Sequence, residues 1–239
     1  MRQTGFIHHI GSFLLLVATV LLIVTSISAP AVKNISMLRV DMDRGTANRN
    51  NPVVTFGTFG WCTQNVLGSG DDCSRAHVGY DPSRVLAENA GVDGVDTSRF
   101  RFATARRLTG VMVLHPVAAG LAFISFLLAL GAGVVGSLLS ALAALLTFLV
   151  IIVALACDFV AFSIVRHAVN DDDNGVPGAR ARWGTAAWTL VAAAVVAFLG
   201  MVVVFFTCCS ARLHRRREDR TGAAPKTDYG APARRKRWF

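Results

Sequence analysis

The chain has 239 residues, of which 53% are apolar and only 16% charged, with a formal net charge of +9 and a pI near 10.2. A soluble domain carries about 25% charged residues, so composition excludes a freely soluble enzyme or carrier. The basic excess suits an anionic membrane surface better than nucleic acid, because the charges almost entirely avoid four long apolar runs.

Runs of about 18 or more apolar residues read as membrane helices, and they fall here at 10–29, 108–130, 134–165 and 186–209. The expected fold is an all-α transmembrane four-helix bundle. Residues 1–9 form a short leader to the first span. Its exit, Ser26-Ile27-Ser28-Ala29-Pro30, has the small residues a signal peptidase selects. The run from Ile10 is longer than a usual signal core and only Arg2 precedes it, so a retained helix is expected.

Residues 30–107 form a long polar loop with ten Lys/Arg and eight Asp/Glu. Asn34-Ile35-Ser36 is a glycosylation sequon close behind the first span. Pro52–Gly57 and Phe59–Cys62 are rich in β-branched and aromatic residues between glycines, the pattern of strands. Cys62 and Cys73 are expected to form a disulfide that staples a small lobe. Closing so short a loop contributes about 2–3 kcal/mol by chain entropy. Free thiols, or an incomplete metal set with His77, are the competing readings. A helical turn is expected near Ser83–Ala90.

The second span holds His115 before Pro116, and the third holds Asp158; these are the ionisable groups to test for function, since charge within a membrane is costly. Asp158 is expected in the outer half of its span, within reach of water. A pH-sensing histidine competes there with a plain packing contact between helices. The glycines at 131, 133 and 136 predict a tight hairpin between spans two and three. Residues 166–185 form a second polar loop, whose Asp171-Asp172-Asp173 lacks the spacing of a calcium loop.

The fourth span ends at Cys208 and Cys209, beside Arg212, Arg215, Arg216 and Arg217. A cysteine pair beside a basic run is a setting for S-palmitoylation, and those arginines would bind anionic inner-leaflet lipid. Residues 210–239 carry ten Lys/Arg against three Asp/Glu and are expected to be a disordered tail. Positive charge next to a span marks the cytoplasmic side. Both termini are therefore expected inside and residues 30–107 outside. No catalytic triad, metal-binding helix motif or phosphate-cradling loop is present, so no enzyme, cofactor or metal is expected.

Several stretches resemble the SUR7/PalI family of fungal four-pass membrane proteins. They are His8–Leu15, Ser26–Pro30, Leu38-Arg39-Val40, Phe56–Cys62, Asp72-Cys73-Ser74, Val78–Pro82 and Leu114–Gly120. The Gly57, Gly60, Trp61, Cys62 segment is also similar to the first-loop signature of claudins, which implies a claudin-like bundle with a small extracellular β-sheet. For PalI-type members the resemblance implies an accessory role in ambient-pH signalling, placing a larger pH sensor at the plasma membrane. For SUR7-type members it implies organisation of plasma-membrane domains and links to the cell wall. The His-Pro stretch favours the first. Lateral binding to another membrane protein would use small residues such as Gly120, Gly131, Gly133, Gly136, Ala141, Ala143 and Ala144, and self-association through the long loop is the second partnership.

Overall fold

A computed structural model describes residues 6–42, 51–66, 70–90, 99–131, 134–170 and 178–222. Four long helices make the frame: α1 (Phe6–Ser26), α4 (Leu114–Leu130), α5 (Val134–Asn170) and α6 (Thr185–Gly222). The first, third and fourth are each long and apolar enough to cross a membrane, and α4 is so together with the residues before it, over Arg106–Leu130. α1 packs on α4 and α6, and α5 packs on the same two, so the helices form a closed ring. Leucines, isoleucines and phenylalanines such as Phe13, Phe123, Leu142, Leu149, Phe205 and Phe206 cover the outside. Small residues line the inside, among them Ala18, Ala118, Ala122, Ala154, Ala193 and Ala197. That inversion follows from the solvent: lipid gives helices no hydrophobic reason to associate, so close backbone approach decides the seams.

At one end of the bundle sits a five-stranded antiparallel sheet ordered β4-β3-β2-β1-β5. Its strands are β1 (Leu38–Met42), β2 (Val53–Phe56), β3 (Trp61–Val66), β4 (Gly70–Cys73) and β5 (Ala179–Trp183). Four come from the first polar loop and the fifth from the second, paired to β1 with Val40 opposite Ala181. Alternation explains the faces of β1: Leu38, Val40 and Met42 are buried while Arg39 is exposed. The outer edge of β5 is closed by the last residue of α5. Asn170 donates from Nδ2 to the Ala181 carbonyl (3.0 Å) and accepts from the Ala181 N–H (2.8 Å), replacing a sixth strand.

Sheet and bundle share one core. Val40, Val54 and Phe56 belong to the same buried cluster as Met112, Ile151, Phe162 and Leu190. Two helices link the sheet to the second span, α2 (Pro82–Ala90) and α3 (Arg99–Gly110), and a 3-10 turn at Val111–Val113 joins α3 to α4. α3 packs against the end of α5, which runs past the apolar span into the expected second loop. α6 likewise runs on to Gly222, so residues 210–222 are helical rather than disordered. Arginine, leucine and glutamate are good helix formers, so the helix of the span propagates into this segment. Residues 223–239, with the rest of the expected tail, lie outside the described residues, as does Asp171–Asp173.

Two glycines fix how the sheet sits. A Cβ on Gly57 would overlap the carbonyl oxygen of Ala29 at the exit of α1, and one on Gly184 would overlap the carbonyl of Ser36. The Ser36 carbonyl is occupied there, accepting the Ala186 N–H at 2.9 Å at the start of α6. Gly120 has open space around it. We expect Gly57→Ala and Gly184→Ala each to cost about 1–3 kcal/mol, as overpacked sites do, read as a lower thermal midpoint of the purified protein. Gly120→Ala should leave that midpoint in place; an equal loss in all three would refute the close-approach account.

Candidate functional site

Where the sheet meets the bundle, polar groups are buried in sequence from α1 to α5. The Thr58 hydroxyl donates to the Thr25 carbonyl (2.9 Å), and the Thr58 N–H donates to Ser28 Oγ (2.9 Å), tying the β2–β3 turn to the exit of α1. The Tyr80 hydroxyl donates to the Gly57 carbonyl at 2.7 Å. Thr109 on α3 donates to the Tyr80 carbonyl at 2.8 Å. Burial, and after it the negative charge of Asp158, holds the Tyr80 hydroxyl well above the usual tyrosine range. It therefore remains a donor in alkaline medium.

Below this layer lies His115, the second residue of α4, fully buried. Its Nδ1 lies 2.9 Å from the carbonyl of Met112 in the 3-10 turn. Its Nε2 lies 2.9 Å from Asp158 Oδ2 on α5. The approach is bent away from hydrogen-bond alignment, and Asp158 Oδ1 has no hydrogen-bond partner. The two residues selected separately from the sequence are thus one pair. The expectation that Asp158 reaches water is corrected: it is 3% exposed. The 3-10 turn and α4 pack on α5 at that level and seal it.

The other sequence candidates are spread over the molecule. Cys62 and Cys73 are bonded across β3 and β4, directly opposite in the register. Gly57 and Gly60 bound the β2–β3 turn, where the Gly57 N–H donates to the Gly60 carbonyl at 2.8 Å. Trp61 is half-buried against the shared core, its N–H held by Ser74 Oγ at 3.0 Å. Asn34 is exposed in the turn after α1, while Ser36 of the same sequon is buried. Cys208 is buried and Cys209 exposed on α6. Arg212, Arg215, Arg216 and Arg217 lie on the helical extension of α6; their side chains are outside the described residues. His77 bonds the Arg75 carbonyl through Nδ1 at 2.7 Å, and no cluster of three metal-type ligands occurs among the described residues.

Tyr80, Thr58, Asn170 and Gly184 escaped the sequence reading. Tyr80 lay inside a recognisable segment, but its role depends on Gly57, and no spacing rule joins residues 23 apart. For the buried pair, cutting one partner leaves the other charge uncompensated, which costs about 3–5 kcal/mol. His115→Ala is therefore expected to lower stability by about that amount, measured by thermal unfolding in detergent; a loss below about 1 kcal/mol, the scale of a solvent-exposed ion pair, would show that the contact is not closed to water.

The sequence profile described as the SUR7/PalI family matches residues 6–200. A protein of Emericella nidulans named pH-response regulator protein palI/RIM9 is 32% identical over 121 residues, which is 51% of this chain and 18% of that protein. The pH-response regulator protein palI/prr-5 of Neurospora crassa is 33% identical over 118 residues, 49% of this chain and 14% of that protein. The match thus spans a minor part of those relatives' length. With a profile match running from α1 into α6 and across the whole sheet, the chain belongs to the SUR7/PalI family.

Proposed function

We propose that this protein is a non-enzymatic accessory subunit of a fungal pH-signalling assembly, helping a larger membrane sensor to assemble or to reach the plasma membrane. The observation that carries this reading is the similarity to two proteins named pH-response regulators, over about half of the chain. The His115–Asp158 pair supports it, since it places a titratable contact in the family's matched region. In this reading the sheet faces outward as a claudin-like lobe, with Cys62–Cys73 as its staple and Asn34 open to glycosylation. Both termini are cytoplasmic. Partner binding is lateral, through the lipid-facing surface on which Gly120 and its exposed neighbours Val117, Phe123 and Ile124 lie.

On the inner side, Arg212 and Arg215–Arg217 bind anionic lipid, each worth about 1 kcal/mol near the surface. Cys209, exposed at the end of the span, is the S-acylation site of the pair, and buried Cys208 is a packing residue. Metabolic acyl labelling should then disappear in Cys209→Ala and persist in Cys208→Ala. Labelling that survives the double substitution would dismiss lipidation.

A second reading, a self-associating organiser of plasma-membrane domains, is favoured by the exposed charged face of the sheet. Arg39, Arg180 and Arg182 lie there beside Asp41, a net positive surface open to an acidic partner segment. The deciding experiment is growth and sensor localisation at alkaline pH in the source organism lacking this protein. We expect an alkaline-specific growth defect with a mislocalised sensor. Normal alkaline growth with disturbed membrane patches or sensitivity to wall stress would replace the signalling role with the organiser.

A further inference from the structure

The contacts around His115 restrict where its proton can be. The Met112 carbonyl beside Nδ1 can only accept, so Nδ1 carries a hydrogen in every protonation state. Nε2 is then the atom that gains or loses a proton, and it faces Asp158 Oδ2 at 2.9 Å with both side chains nearly sealed from solvent. A bare imidazole nitrogen and a carboxylate oxygen repel at that separation. The contact is favourable only while the pair as a whole holds one titratable proton, as imidazolium beside carboxylate or as neutral imidazole beside carboxylic acid. Either form is neutral overall.

We propose that His115 and Asp158 form a single-proton binding site that clamps α4 to α5 when loaded and loosens when an alkaline medium removes the proton. Its biological use rests on the pH-signalling reading above; the site itself does not. Loss of the proton to solvent leaves a buried carboxylate facing a lone pair, with neither of its oxygens hydrogen-bonded. The pair must then part or take in water.

Few other groups compete for this proton. Tyr80 faces the pair from the loop, but its hydroxyl is committed to the Gly57 carbonyl. Cys157 adjoins Asp158 on α5 and is partly exposed. α1 from Ile10 to Ser26 and α6 from Thr185 to Thr207 contain no ionisable residue. Arg106 and Arg107 on α3 are exposed. Two routes connect the pair to the sheet. One runs along the chain from Met112, which His115 bonds, back to Thr109, and from there through hydrogen bonds to Tyr80 and Gly57. The other runs from Phe159, beside Asp158, to Trp183 on β5, with ring centroids 4.7 Å apart.

The test is amide hydrogen exchange of the full chain in phosphatidylcholine nanodiscs from pH 6 to pH 9, normalised to intrinsic exchange. Protection of residues 112–118 and 155–162 should fall at least tenfold through a one-proton step, with a smaller fall in β5. Asp158→Asn keeps the contact, because its amide N–H donates to Nε2, and should show no step. Tyr80→Phe and Cys157→Ala should retain it. A wild-type chain without the step, or an Asp158→Asn variant that titrates as the wild type does, overturns the proposal. The outcome is separate from the growth assay. Normal alkaline growth together with the step would remove the signalling role and leave the site, whereas a growth defect without the step would mean that pH is sensed elsewhere.

Discussion

Hydrocarbon offers no hydrogen-bond partner, so every polar group that enters this bundle must find one inside it. The helices do so for their backbones. The hydroxyls follow: Thr19 donates to the Leu15 carbonyl, Thr147 to Ala143 and Ser125 to Leu121, each within its own helix. Between helices, Ser140 donates to the Ser125 carbonyl at 3.0 Å and Ser125 meets Thr147 at 3.3 Å, joining α5 to α4. Among the described residues this accounting is incomplete at His115 and Asp158, where Nε2 and both carboxylate oxygens lie without an aligned hydrogen bond. A buried polar group left without a hydrogen bond costs free energy, which sets this pair apart from the other buried polar groups described above.

The same constraint governs the sheet. Its strands bring many backbone groups to the end of the bundle, and they are tolerated because they pair with one another. β5 supplies the strand that closes the exposed side of β1, and Asn170 closes β5 in turn. The sheet is therefore anchored at three helix ends: the exit of α1 by Thr58 and Gly57, the end of α5 by Asn170, and the start of α6 by Ser36. Against this, the exposed ion pairs Lys33–Asp71 and Arg39–Asp41 contribute little. Close approach and shared apolar burial hold the sheet on the bundle.

Much of this was legible in the chain. Four spans, strand-forming segments at Val53–Phe56 and from Trp61 onward, a helix near Ser83–Ala90 and the pairing of Cys62 with Cys73 all follow from local composition and short spacing. What was not legible lies between distant segments. β5 could not be read as the fifth strand, because Ala179–Trp183 is a strand only by virtue of pairing with β1. The burial of Asp158 depends on the 3-10 turn and α4 covering it, and neither is near it in sequence. The helical course of residues 210–222 ran against a composition that reads as disordered.

The amino-acid sequence by itself determined the class of the protein, since an apolar solvent writes its demands into continuous runs of residues, and its family, through the motifs it shares with that family. The tertiary structure decided which polar residues meet. His115 and Asp158 are 43 positions apart and belong to different spans; no periodicity links them, and only the packing of α4 against α5 makes them one site. Gly57 and Ala29, or Tyr80 and Gly57, are joined in the same way. Contacts of that kind depend on side chains arriving from separate elements, and their geometry exists only once the helices have assembled.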